Sequence, residues 1–268
     1  MDISGKTIVI TGGASGIGAA MARQAAHAGG RVCIADLNEA LAKEVAAEIG
    51  GIAVACDVTQ ESQIVAAIEA AEDAFGPVDV FVSNAGLGRG DPSHAASAPD
   101  ADWMLNWNVH VMAHVWAARA LLPAMIARGS GYFVNVASAA GLLNQIGDAA
   151  YSATKHAAVS FAESLAITHG DEGIGVSVVC PQYVATPLLG LGDGDANGNL
   201  LTASDVAQVI WDGVRTETFV ILPHSDVAKY SAARGTDPAR WINGMQMLRA
   251  KAMSAHGKIS VAEFYKLV

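Results

Sequence analysis

The stretch Thr7–Met21, TIVITGGASGIGAAM, decides how the rest of the chain is read. Its first five residues are β-branched throughout, the pattern of a strand buried on both faces. Glycines follow at once, at 12, 13, 16 and 18, and a helix of small residues opens behind them. Glycine permits a sharp turn and a close backbone approach, and a helix N-terminus presents unpaired N–H groups and partial positive charge. An ordinary tight turn between strand and helix would read the same way. The second run, RVCIADLN, separates the two readings. It ends on Asp36, where a carboxylate can accept the two ribose hydroxyls of an adenosine and would repel a 2′-phosphate. No Arg or Lys stands in GGASG or just after Asp36 to offset that repulsion. The pair predicts a dinucleotide site that takes NAD over NADP.

Five further apolar runs repeat the pattern: IAVACDV, VDVFVSNAG, GYFVNVAS, GVSVVCPQ and FVILPH. Helix patterns alternate with them. One follows Asn38 and stops at Gly50-Gly51, another is capped by Thr59 and stops at Gly76-Pro77, and a long one covers about 102–128. Seven strands in repeated β–α–β order predict an α/β fold, a Rossmann-type doubly wound parallel sheet with right-handed crossovers. The 268 residues form a single domain on this reading. About 186–202 is polar, Gly-rich and read as a mobile substrate lid, and about 226–268 as a helical C-terminal extension. In that extension Trp241, Met245 and Leu248 share a face, which packs as core or interface or caps a cleft.

Ligands of an open α/β sheet bind at the carboxyl ends of its strands. Asp57, after strand three, is placed to touch adenine. Asn84 and Gly86, after strand four, lie beside the cofactor, or Asn84 braces the sheet edge. Strand five ends at Ser138. The next helix carries YSATK, with Tyr151 and Lys155 one turn apart on one face. A surface helix could show that spacing, but beside Ser138 it also describes an acid–base catalyst. A phenol of pKa near ~10 is a poor base at neutral pH, and a neighbouring ammonium lowers that value. Ser138 would hold the substrate oxygen while Tyr151 moves its proton.

Taken together, TGGASGIG, CDVT, NAG, the Asn in NWNVH, VASAAG and YSATK, across roughly residues 5–187, resemble the short-chain dehydrogenase/reductase family, in its single-domain branch of about 250 residues. The resemblance implies NAD(P)-dependent interconversion of an alcohol and a carbonyl, with Ser138, Tyr151 and Lys155 as catalytic residues. It adds Asn108, holding a water behind the lysine. It extends the cofactor site to Gly12, Ser15, Gly16, Ile17, Gly18, Asp36, Leu37, Asp57, Val58, Asn84, Ala85, Gly86, Tyr151, Lys155, Pro181, Val184 and Thr186. It also implies a homodimer or homotetramer packed through helices near 102–128 and 150–170. One departure stands out. Gln182 replaces the family's usual glycine after strand six, so the backbone there is less permissive or Gln182 touches cofactor or substrate.

The expected substrate walls are Ser138, Leu142, Gln145, Tyr183 and Leu188, with Leu87, Leu143, Ile146 and Leu189 beside them. Arg89 is the one basic group nearby. These predict a mainly apolar secondary alcohol or ketone as the small-molecule partner. A catalytically silent dinucleotide-binding scaffold or sensor would lack one of the catalytic groups, and an NAD-using epimerase or dehydratase would carry a larger substrate domain.

The 16 Lys and Arg against 26 Asp and Glu, a net charge of −10, argue against a nucleic-acid partner. No uninterrupted apolar run reaches the length of a membrane span. The N-terminus shows no basic-then-apolar secretory pattern. Cys33, Cys56 and Cys180 stand in apolar runs without a CxxC spacing. These features read as a cytoplasmic protein with buried free thiols and no membrane partner. No metal is expected. His110 and His114 lack an HExxH context and are read as packing or interface histidines. DGDANG at 193–198 has Ser204 where a calcium loop needs a bidentate Glu.

Overall fold

The computed structural model describes residues 1–259 together with Phe264 and Lys266, apart from the side chains of Asp193 and His256. The rest of the expected C-terminal extension lies outside the described residues.

All seven apolar runs form strands of one parallel sheet. They are β1 (Thr7–Thr11), β2 (Arg31–Asp36), β3 (Ile52–Ala55), β4 (Val80–Ser83), β5 (Gly131–Val136), β6 (Ile174–Val179) and, past a small ladder of β7 (Val184–Ala185) and β8 (Leu201–Thr202), β9 (Val220–Ile221). The sheet order is β3-β2-β1-β4-β5-β6-β9, every ladder parallel. Both faces are buried because successive residues serve opposite layers. Val9, Phe81 and Phe133 join one core, while Ile8, Ile10, Val82 and Val134 join the other. The order reverses between β1 and β4, and that switch point opens a crevice at the strand ends.

Helices α1 (Gly16–His27), α2 (Glu39–Ile49) and α3 (Glu61–Phe75) follow the first three strands. Asn38 caps α2 by accepting the Leu41 N–H, and left-handed Gly50 ends it. Thr59 does not cap α3, which begins two residues later. It bonds back to Asp57 through its N–H and its hydroxyl, at 2.9 and 2.8 Å.

The expected long helix runs as α4 (Asp100–Trp107), a π turn over Asn108–Met112, and α5 (Ala113–Ala127). Residues 100–127 are long and apolar enough to cross a membrane by length and composition, but half of the most apolar window is buried inside the domain. After β5 come a single turn, α6 (Ala140–Leu143), then α7 (Ala149–His169). Helix α8 (Ala203–Arg215) packs on α1, with the Trp211 indole donating to the Met21 carbonyl at 3.1 Å. Two helices complete the described chain, α9 (Asp226–Thr236) and α10 (Pro238–His256). They dock on α6: Val227 is fully buried with Ala139 and Leu143, and the Arg234 guanidinium donates to the Leu142 carbonyl.

Candidate active site

The glycine turn is fixed by backbone contact. A Cβ on Gly12 would lie 2.8 Å from the Ala85 Cα, and one on Gly18 would overlap the Gly12 carbonyl. Asn84 braces the turn, its amide donating to the Thr11 and Gly12 carbonyls at 3.0 Å each. Ser15 precedes α1 with its side chain making no cap, which leaves the first-turn N–H groups facing the crevice. Asp36 is held at the end of β2, one carboxylate oxygen accepting the Ala14 N–H and the other the Asn38 N–H, both at 2.9 Å. Leu37 beside it is exposed.

A cleft of about 910 Å³ runs from this turn to α7. Gly12, Ser15, Gly16, Ile17, Asp36, Leu37, Asp57, Val58, Asn84, Ala85, Gly86, Pro181, Val184 and Thr186 line it, with Ser138, Tyr151 and Lys155 at its far end. Gly18 stands behind the turn rather than in the lining. The glycines, the open helix end and a carboxylate at the ribose position fit a nicotinamide dinucleotide.

Tyr151 owes its place to Asp148, whose carboxylate caps α7 by accepting the Tyr151 N–H at 3.0 Å. Tyr151 and Ser138 line the same end of the cleft, and the Ser138 oxygen accepts the Ala140 N–H at 3.1 Å while its hydroxyl donates to the Pro181 carbonyl at 3.5 Å. Lys155 is buried, donates to the Val136 carbonyl at 3.0 Å, and holds its ammonium 5.6 Å from the Tyr151 ring centre. Burial lowers the lysine to about 8, so it remains charged at neutral pH. The tyrosine departs from expectation. Loss of solvation pushes it up to about 12, although the neighbouring Ser138 hydroxyl works the other way. In the protein alone burial dominates, with Asp148 and Cys180 adding to it, and Tyr151 carries its proton.

Ser138, Tyr151 and Lys155 therefore share one end of the cleft, and Asn108 stands on the helix beyond it. It opens the π turn outside the cleft lining, with no side-chain hydrogen bond among the described residues. His110, two residues on, is fully buried. Its ring meets the Tyr151 ring edge-on at 5.2 Å between centres. Its Nε2 accepts the Leu87 N–H at 3.2 Å, so Nδ1 carries the proton and donates to Thr154 Oγ1 at 3.0 Å. Burial first, and the Lys155 charge second, hold His110 well below its usual pKa and His114 at about 3. Both histidines are interior residues, not interface ones. The missed signal lay in the π turn, whose extra residue rotates the face that a regular helix would present.

The substrate expectations divide. Gln145 and Tyr183 line the cleft, and the Tyr183 hydroxyl donates to Gln145 Oε1 at 3.5 Å. Leu188 lines the cofactor end but is exposed. Leu142 is not a wall. It packs into the core, and the next residue, Leu143, faces a second cavity. Gln182 keeps a negative φ, so nothing there demands glycine. Its N–H donates to His224 Nδ1 at 3.1 Å, while His224 Nε2 bonds the Tyr183 carbonyl at 3.0 Å and the Asn199 carbonyl at 3.1 Å. Exposed Arg89 pairs with Asp102 at 3.8 Å. All three cysteines are free and buried, and burial raises Cys33 and Cys180 to about 12 and Cys56 to about 11. Among the described residues no group of three or more His, Cys, Asp or Glu gathers as a metal site.

The short chain dehydrogenase family profile matches residues 6–192, and the chain belongs to the short-chain dehydrogenase/reductase family of oxidoreductases. It is similar to the mitochondrial borneol dehydrogenase of Lavandula x intermedia, 32% identical over 212 residues, 77% of this chain and 82% of the relative. It is similar also to momilactone A synthase of Oryza sativa subsp. japonica, 34% identical over 251 residues, 91% and 88% of the two chains. Among solved structures, a short-chain dehydrogenase/reductase from Burkholderia phymatum in complex with NAD superposes with a TM-score of 0.81 at 28% identity, covering 88% of this chain and 95% of the other.

Proposed function

We propose that the chain is an NAD-dependent dehydrogenase that interconverts a mainly apolar secondary alcohol and its ketone. One observation carries this reading: Ser138, Tyr151 and Lys155 line one end of a dinucleotide-shaped cleft, with the buried Lys155 ammonium 5.6 Å from the centre of the phenol ring. Bound there, the dinucleotide would supply the hydride acceptor or donor. The side chains do the rest. Ser138 holds the substrate oxygen. In reduction Tyr151, which already carries its proton, passes it to that oxygen as the carbonyl becomes an alcohol. In oxidation the phenolate takes the hydroxyl proton as hydride leaves the carbinol carbon. Ionising a phenol of pKa about 12 at pH 7 requires on the order of 7 kcal/mol. The Lys155 charge works toward that, and a positive nicotinamide adds to it.

Asp36 beside an exposed Leu37, without a basic partner, supports NAD over NADP. The alcohol dehydrogenase reading draws further support from a relative named for borneol. The same reading makes residues 186–202 a lid and places the protein in the cytoplasm. It has the chain assemble as a homodimer or homotetramer through α4–α5 and α7, where Met104, Trp107 and Ile167 are exposed. A panel of secondary alcohols offered with NAD and with NADP tests the proposal through absorbance of the reduced cofactor. Turnover of apolar alcohols with NAD is the expected result. Preference for anionic alcohols, or for NADP, counts against it.

A further inference from the structure

A second cavity, of about 660 Å³, opens beyond the cofactor cleft. Gln145, Gln182 and Tyr183 line both spaces and form the threshold between them. Past that threshold the walls are Leu143, Tyr183, Tyr230, Trp241, Met245 and Leu248. Four of these six stand on α9 and α10, beyond residue 192 where the family profile ends. The stripe of Trp241, Met245 and Leu248 is thus a wall facing the substrate side.

The polar groups at the threshold already engage one another. The Gln145 amide donates to the Ile146 carbonyl at 3.2 Å, and its oxygen accepts from Tyr183. At the outer lip Arg240 and Asp237 stand together at the start of α10 with opposite charges. Nothing in this lining selects a net charge, and most of it selects hydrocarbon. Pockets of ~300–1,000 Å³ hold single ligands of drug-like size. We propose that this cavity binds the hydrocarbon body of a bulky neutral alcohol or ketone, a ring skeleton of roughly ten to twenty carbons, whose carbinol or carbonyl carbon reaches past Tyr183 to Ser138 and Tyr151. The inference rests on the alcohol dehydrogenase reading above and deepens it. The C-terminal extension is then the element that selects substrate size, since each buried methylene strengthens binding about fourfold.

Gly244 supplies the test. It lines the cavity on α10, and a Cβ there meets nothing within 4 Å. Gly244→Leu therefore adds side-chain volume at the edge of the cavity from a position whose Cβ meets no neighbour, and leucine suits a helix interior better than glycine. The holoenzyme is assayed with NAD on borneol, as a bridged bicyclic probe, and on 2-propanol, as a probe too small to need the cavity. The ratio of kcat/KM for borneol to that for 2-propanol should fall at least tenfold in Gly244→Leu, the change residing in KM. Met245→Ala, which enlarges the same space, should move KM for a larger fused-ring alcohol downward. An unchanged ratio in Gly244→Leu overturns the proposal. If the wild-type protein oxidises neither alcohol, the dehydrogenase reading fails by itself, and camphor calorimetry on the NAD-loaded protein decides the cavity. Heat of binding that is lost in Gly244→Leu upholds the pocket, and no binding to the wild type refutes it.

Discussion

Two glycines show how differently the ends of this molecule are built. A Cβ on Gly18 would overlap the Gly12 carbonyl oxygen and approach the Asn84 amide to 2.5 Å, whereas a Cβ on Gly244 would meet open space. The first sits where backbone packs on backbone to shape the cofactor turn. The second sits on a helix face that borders a cavity. The nucleotide half is specified by main-chain geometry and a few polar braces, and the C-terminal half by the volume of its side chains. Recognition of an invariant cofactor and recognition of a substrate ask for these two different constructions.

The sharpest way to break that contrast is Gly18→Ala. The added methyl has no flexible neighbour to yield, and overpacking of this kind costs roughly 1–3 kcal/mol or more. A melting temperature lower by roughly 3–10 °C is expected, with NAD affinity reduced more than tenfold by calorimetry. Wild-type values for both would show that the turn is looser than its contacts indicate.

A smaller effect is expected at Asp36→Asn. The amide retains one acceptor oxygen for Ala14 or Asn38 but loses the charge. Hydrogen bonds to charged groups contribute roughly 1.5–3 kcal/mol, so NAD should bind about tenfold more weakly or worse. Discrimination against NADP should narrow at the same time. Comparison of the two dissociation constants checks both statements, and an unaltered ratio would remove Asp36 from cofactor choice.

The smallest change belongs to the junction between the two halves. His224 ties the Gln182 N–H to the Tyr183 and Asn199 carbonyls, and burial keeps its pKa below the ordinary value. The unfolded chain binds a proton there near pH ~6.5 while the folded chain does not. Stability attributable to His224 is therefore complete above that pH and is lost as pH falls toward the folded value, by at most about 1.4 kcal/mol per pH unit. Buried His110 and His114 act in the same direction. Urea unfolding of His224→Gln between pH 7 and 5 should show a shallower decline than the wild type. A parallel decline would mean that His224 carries no proton linkage.

The same contrast explains what could be read in advance. Buried parallel strands, a glycine turn and Asp36 leave local marks, because backbone geometry restricts which residues fit. Tyr151 and Lys155 share a helix face, and the sheet edge brings Ser138 to them. Three features left no such mark. The π turn at 108–112 inserts an extra residue and brings His110 edge-on to Tyr151. Asn144, at φ 70, ends the short turn after β5, in which Leu142 packs on the core and Leu143 also borders the cavity. Trp241 and Met245 form a wall for residues about a hundred positions earlier, a pairing that helical periodicity alone does not select. The direction of the Tyr151 shift was also hidden, since it turns on a desolvation that only the folded surroundings impose.

The central claim is that the Tyr151 hydroxyl moves the substrate proton. Tyr151→Phe keeps the ring that meets His110 edge-on and deletes the hydroxyl that shares the cleft end with Ser138. Its single-turnover rate with NAD and an apolar secondary alcohol should fall by about 10²–10⁴-fold, with the NAD dissociation constant within about threefold of wild type, a difference smaller than 1 kcal/mol. Turnover at the wild-type rate in that variant would contradict the account.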